Sequence, residues 1–237
     1  MDTLFEPKLQ ACFSTLFTFD FSDTECLSLV ISKTLSIGIF LGSLAVKLPQ
    51  ILKIFSAGSG EGVSISFHIL ESVGHAINVV YNLRRGNPVL TYGEAFTIFV
   101  QDCIILFLLF QFSKKSVYAV FTVGGLLGLA YSAYYFVDPS LLDSLQWSVT
   151  AIFAASKVPQ ILSNFKNGHT GQLSFLTWFL NVAGSSARVF TTMTEVKDDT
   201  AILYGHLTGF SLNVIILLQI LFFWQATNKA TSKEKKD

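Results

Sequence analysis

Apolar residues run along this chain in seven long stretches: Val30–Leu52, Ser64–Leu83, Gly93–Phe112, Val117–Val137, Leu141–Phe165, Leu173–Met193 and Ala201–Trp224. Each approaches the roughly 20 residues that an α-helix needs to cross a bilayer. The interruptions are short and carry turn chemistry: Ala57-Gly58-Ser59-Gly60, Arg84-Arg85-Gly86-Asn87-Pro88, Ser113-Lys114-Lys115, Asp138-Pro139 and Asn167-Gly168-His169-Thr170-Gly171. Strands of a membrane barrel would instead alternate over about 10 residues. The pattern predicts an all-α membrane protein with seven transmembrane helices. The N-terminal apolar run Cys12–Phe19 has no basic flank and is followed by Asp20, Asp23 and Glu25, so it does not read as a cleaved signal peptide.

Composition agrees. Charged residues make up 14% of the 237, against roughly 25% in a soluble domain, and 23 Phe bring the mean hydropathy to +0.54. Sixteen basic residues balance 16 acidic ones, which leaves no basic face for a nucleic-acid partner. Basic residues orient the bundle. Lys53, Lys114, Lys115, Lys166, Lys229, Lys233, Lys235 and Lys236 gather on one side; Lys8, Arg84, Arg85 and Lys197 lie on the other. This asymmetry puts the C-terminus in the cytosol and the N-terminus in a lumen or outside. Cys12 and Cys26 then share an oxidising side, where one disulfide can form, and Cys103 sits inside a span. No cysteine spacing suits a structural zinc site, and no metal or cofactor is expected.

The string Lys47-Leu48-Pro49-Gln50 recurs as Lys157-Val158-Pro159-Gln160, an offset of 110. The same offset pairs Phe55 with Phe165, Gly58 with Gly168, Ser64 with Ser174 and Gly74 with Gly184. Three helices, one unpaired helix and three helices again give a 3+1+3 parallel repeat, an architecture used by transporters. The expected divisions are an N-terminal lumenal segment 1–26, a first three-helix repeat 27–115, a linker helix 116–138, a second repeat 139–225 and a basic cytosolic tail 226–237. Pro49 and Pro159 should each kink a helix near its cytosolic end, with Gln50 and Gln160 able to supply the freed carbonyl or hold a ligand. Such kinks serve either as fixed bends or as hinges for alternating access.

Polar residues inside the spans mark candidate sites. Ser64, His68, Glu71, His75, Asn78 and Asn82 follow helical spacing on the second span; Ser174, Trp178, Asn181, Ser185, Arg188 and Thr192 follow it on the sixth. Both faces should look inward. They either fix helix register through a buried ion network or form a path in which Arg188 receives an anion such as phosphate. In the second case Glu71, Asn78, Asn181 and Ser185 would take hydroxyls of a polar head. Asp102 is a further intramembrane acid, able to carry a proton or to hydrogen-bond a neighbour. Lys47 and Lys157 either snorkel to the cytosolic face or touch a phosphate. No HExxH, GxSxG or Walker loop is present, and the internal loops are short. An enzyme is not expected.

The duplicated Pro-Gln in a 3+1+3 bundle resembles the PQ-loop family, which includes sugar exporters and lysosomal amino-acid carriers. Gly42-Ser43-Leu44-Ala45-Val46-Lys47-Leu48-Pro49-Gln50 with Glu61-Gly62-Val63-Ser64 resembles the first signature of that family's mannose-P-dolichol utilisation defect branch. Asn167-Gly168-His169-Thr170-Gly171-Gln172-Leu173-Ser174 with Gly184-Ser185-Ser186-Ala187-Arg188-Val189-Phe190-Thr191 resembles its second. The likeness runs from about residue 27 to 225, and Cys12 and Cys26 match the branch's N-terminal cysteines.

The resemblance implies an endoplasmic-reticulum protein needed for use of dolichyl-phosphate mannose and dolichyl-phosphate glucose in building N-glycans, GPI anchors and O-mannose structures. Its partners would be those lipids, the surrounding membrane lipid and lumenal glycosyltransferases. The tail Lys233-Glu234-Lys235-Lys236-Asp237 fits a dilysine retrieval signal, or simply a positive-inside tail. Three readings follow: a carrier or flippase passing the sugar-phosphate head between the second and sixth helices, an accessory that presents the lipid without moving it, and a proton-coupled carrier of a small solute using Asp102. A lateral opening beside the polar stripes would favour the first, and a filled, salt-bridged interior the second.

Overall fold

A computed structural model describes residues 11–12, 23–171 and 173–227. Among them the chain is all-helical: α1 (Thr24–Ser43), α2 (Leu48–Ala57), α3 (Ile65–Arg85), α4 (Val89–Phe112), α5 (Ser116–Tyr135), α6 (Pro139–Asn167), α7 (Phe175–Glu195) and α8 (Thr200–Phe222). These coincide with the seven apolar stretches, the first of which is divided into α1 and α2. Four segments are long and apolar enough to cross a membrane on composition: Thr24–Ala57, Val89–Phe112, Ser116–Tyr135 and Thr200–Phe222. Helices α3, α6 and α7 each extend about 30 Å or more, the same reach, but carry the polar stripes or Lys157. Phe121, Phe136, Val117 and Phe222 are among many large apolar side chains left exposed. Such surfaces suit contact with lipid rather than water.

Duplication shows in the local chemistry. Ser64 and Ser174 both cap the helices that follow, accepting from the Phe67 and Thr177 amides at 3.2 and 3.4 Å. Gly58 and Gly168, 110 residues apart, both follow a helix end with φ of +57° and +67°. That left-handed conformation costs a glycine little and other residues more.

The chain divides into two compact units, Met1–Gln146 and Trp147–Asp237, with the boundary inside α6. In the first, α4 is the central helix and packs on α1, α2, α3 and α5. Phe99 and Leu106 of α4 meet Ala76 of α3 and Leu126 of α5, while Ile105 and Leu109 meet Ile54 of α2. In the second, α7 packs on α8. Gln219 of α8 binds α6 twice, accepting from Asn164 at 2.8 Å and donating to the Ile161 carbonyl at 3.0 Å.

The two prolines do not behave alike, which corrects the expectation of matched kinks. Pro159 lies inside the continuous helix α6. Pro49 sits in the first turn of α2, where its missing N–H costs nothing. The actual break precedes it, at 44–47, where amides bond three residues back: Ala45 to Gly42 at 3.1 Å and Val46 to Ser43 at 3.3 Å. Gln101 of α4 accounts for the break. Its Oε1 accepts from the Lys47 amide at 2.9 Å, and its Nε2 donates to the Ser43 carbonyl at 2.8 Å. Those two backbone groups would form one i to i−4 bond in an unbroken helix, so the glutamine amide is inserted into the ladder. At the equivalent place the second repeat has Ser211, whose hydroxyl bonds back to Leu207 of its own helix at 2.9 Å.

Replacing Gln101 by Leu leaves the Lys47 N–H and Ser43 carbonyl without their bridge. Thermal unfolding of the detergent-purified protein should show a loss of about 1–3 kcal/mol, whereas Ser211→Leu should have little effect. Equal melting of the two variants would contradict the inserted-amide account.

Candidate functional site

Three of the charged residues placed inside spans converge in the first unit. The Lys47 side chain leaves the α1–α2 break and its Nζ lies 2.5 Å from Glu71 Oε2 on α3 and 2.6 Å from Asp102 Oδ1 on α4. The Phe67 ring lies under the same ammonium, 5.9 Å from its centroid, a cation–π distance. His68, one turn before Glu71, sends Nδ1 to Asp102 Oδ1 at 2.8 Å and Nε2 to the Gln50 amide nitrogen at 3.1 Å. His75, one turn after Glu71, stands 3.9 Å from Glu71 Oε1. Lys47, His68 and Asp102 are buried. Lys47 therefore does not snorkel. Its charge is held inside the bundle by two acids.

Helical spacing on α3 places His68, Glu71 and His75 on one face, and the packing of α3 on α4 brings that face to Asp102. His68, Glu71 and Asp102 are disposed so that their ligand atoms all lie within 4.8 Å of one another. A cation is thus already supplied among them by the chain itself, in the form of the Lys47 ammonium.

The rest of the α3 stripe has a different task. The Asn82 amide donates to the Asn78 carbonyl at 2.8 Å, and Asn87 donates to Asn82 Oδ1 at 2.9 Å. This asparagine chain closes the C-terminal end of α3 beside Gly86. Outside the spans, Ser140 hydrogen bonds hold the Asp138 carboxyl below the usual range.

The second unit repeats the layout with neutral partners. Lys157 Nζ donates to Asn213 Oδ1 of α8 at 2.6 Å, and Asn213 Nδ2 donates to the Asn181 carbonyl at 3.2 Å and to Ser185 Oγ at 3.1 Å. Gln160 donates to Asn164 at 2.8 Å. Arg188 is buried one turn beyond Ser185, and its carbonyl accepts from Thr191 and Thr192. Thr192 in turn meets His206 Nδ1 at 2.7 Å. The Asn181 side chain is exposed. A disulfide joins Cys12 to Cys26; Lys233 and Lys235 lie outside the described residues.

His68, Gln101 and Asn213 carry more of this arrangement than the sequence suggested. A usable signal existed for the charged cluster. Within the apolar stretches the first repeat holds Lys33, Lys47, Glu71, Glu94 and Asp102, and the second holds Asp143, Lys157 and Arg188. Three acids against two lysines, compared with one acid against two bases, mark the first as the repeat able to pair its lysines internally.

Removing one member of a buried charge cluster strands the others, at a cost of about 3–5 kcal/mol. Lys47→Met should lose that much stability. Lys157→Met abandons only a neutral amide and should lose about 1 kcal/mol. Melting of the two variants in the same detergent measures the difference.

Comparison with known proteins agrees with this duplicated layout. The PQ loop repeat matches residues 31–91 and 141–201, one copy in each half of the chain. The human protein solute carrier family 66 member 3 is 30% identical over 190 residues, a span covering 78% of this chain and 91% of that protein. No solved structure matches. With both Pro-Gln motifs inside the matched segments, the chain belongs to the PQ-loop family.

Proposed function

We propose that this PQ-loop protein serves the use of dolichyl-phosphate mannose and dolichyl-phosphate glucose in the endoplasmic-reticulum membrane, by carrying the sugar-phosphate head across the bilayer. The observation that carries the reading is the polar face of α7. There Asn181 is exposed, Ser185 is half-buried and Arg188 is buried, in order along one side of a membrane-length helix. A guanidinium at the deep end suits a phosphate diester, and the amide and hydroxyl suit sugar hydroxyls. The two signature strings around Pro49 and Arg188 favour these lipids over a water-soluble solute. The balance of basic residues supports a cytosolic C-terminus, where Lys233 and Lys235 would act as a retrieval signal. Lumenal glycosyltransferases would be the protein's partners.

A second reading draws on the first repeat. Its interior is filled by the Lys47, Glu71, Asp102 and His68 cluster, which favours a protein that presents the lipid to those transferases without moving it.

Purified protein in sealed liposomes containing a short-chain fluorescent dolichyl-phosphate mannose analogue separates the two. With a membrane-impermeant oxidant outside, a carrier exposes both leaflets, so oxidation should pass the outer-leaflet share of about half. Arg188→Ala, at matched abundance and insertion, should return it to that share. Oxidation that halts at the outer leaflet with the intact protein would reject carriage and leave the presenting role.

A further inference from the structure

The charged cluster of the first repeat does not balance. With a neutral imidazole, one ammonium faces two carboxylates, buried Asp102 and half-buried Glu71, leaving one net negative charge in the cluster. Asp102 is fully buried, and its Oδ2 has no hydrogen-bond partner among the described residues. An uncompensated charge at this depth is expensive. One added proton would neutralise the cluster, and the geometry indicates where it goes.

Asp102 Oδ1 already accepts from Lys47. As a carboxylate it can only accept, so the His68 nitrogen 2.8 Å away must be the N–H form. The other ring nitrogen, Nε2, is then the vacant base. It faces the Gln50 amide nitrogen at 3.1 Å, which donates to it. A proton taken up from water at Nε2 makes His68 an imidazolium flanked by Asp102. Nε2 then becomes a donor, and Gln50 must turn its amide to present Oε1.

We propose that His68 is a reversible proton-binding site, with Asp102 as its counter-ion and Gln50 of the first Pro-Gln motif as the side chain that responds to the bound proton. Gln50 lies in the first turn of α2, just past the break that Gln101 holds open. The protonation state thereby reaches the α1–α2 break through a single amide. The second repeat cannot do this. Trp178 and Leu212 stand where His68 and Asp102 would be, and Gln160 donates to Asn164 instead.

Other charges bear on the ring from every packed element. Glu71 Oε2 is 3.8 Å from Nδ1 on the same helix, and Lys47 opposes protonation from the α1–α2 break. Further titratable or charged groups of these helices are Glu25 and Lys33 on α1, Lys53 on α2, His75, Tyr81, Arg84 and Arg85 on α3, and Tyr92, Glu94 and Cys103 on α4, while α5 has no charged residue. Two acids and one ammonium thus stand nearest the ring.

The site is independent of which solute or lipid the protein handles. Its test is nitrogen NMR of the full chain, labelled at its four histidines and held in lipid nanodiscs, with His68→Gln identifying the signal. Between about pH 8 and pH 5, where histidines change charge, His68 should pass from the Nδ1–H neutral form to the imidazolium in one step. Asp102→Asn should lower its midpoint, weakening proton affinity about tenfold or more. Glu71→Gln should lower it too, which covers the case of an Asp102 variant that does not fold. Gln50→Glu should raise the midpoint by supplying a fixed acceptor to Nε2. A ring that stays neutral throughout, or a midpoint unmoved by the acid substitutions, would overturn the proton site. A midpoint unmoved by Gln50→Glu would overturn the part assigned to Gln50.

Discussion

Within a bilayer there is no water to rescue a polar group, and each one must find its partner in the protein. Lys47 meets that requirement in a particular way. Its backbone N–H is taken by Gln101, and its ammonium by Glu71 and Asp102. One residue thus ties the α1–α2 break to α3 and α4 at once. Gln101 completes the tie by occupying the carbonyl of Ser43, so that opening the helix leaves neither of these two groups unpaired. The break, the position of Pro49 in a first turn and the placement of Gln50 against His68 all follow from those bonds.

The two repeats show one layout filled with different chemistry. Ile54 packs on Leu109 in the first, and their counterparts Asn164 and Gln219 hydrogen-bond in the second. The lysine before each Pro-Gln reaches the third helix of its own repeat, meeting Asp102 in one and Asn213 in the other. With an apolar pair on the α2 side, the polar links described in that region of the first repeat are the charged network and the Gln101 bridge. In the second, Lys157 meets the neutral Asn213, and Gln219 meets Asn164 and the Ile161 carbonyl, along α6 and α8. A pair of halves with the same path but different charge can respond differently to the same change of environment, which two identical halves could not do.

Helix ends and lengths were legible from local rules. The seven apolar stretches matched the observed helices closely, because burial in lipid imposes a length that is read directly from composition. The serine caps at Ser64 and Ser174 and the glycines at Gly58 and Gly168 were visible as paired turn residues at the same offset. The break at 44–47 was legible only in part. Pro49 removes the N–H that the Ala45 carbonyl would use, yet Pro159 sits inside a continuous helix; the difference lies in a glutamine 54 residues downstream of Lys47.

The sequence by itself therefore determined the positions of the helical stretches, the duplication and membership of the PQ-loop family, all of which depend on periodicity, composition or repeated strings. It also showed that Lys47, Glu71 and Asp102 lie inside spans. Which of them meet was decided only by the tertiary structure. Lys47 is 24 residues from Glu71 and 55 from Asp102, and whether their side chains touch depends on the rotation and depth of three helices. Those are set by packing around α4, where Phe99, Ile105, Leu106 and Leu109 bury together with their neighbours, and no property of the chain read in order contains them.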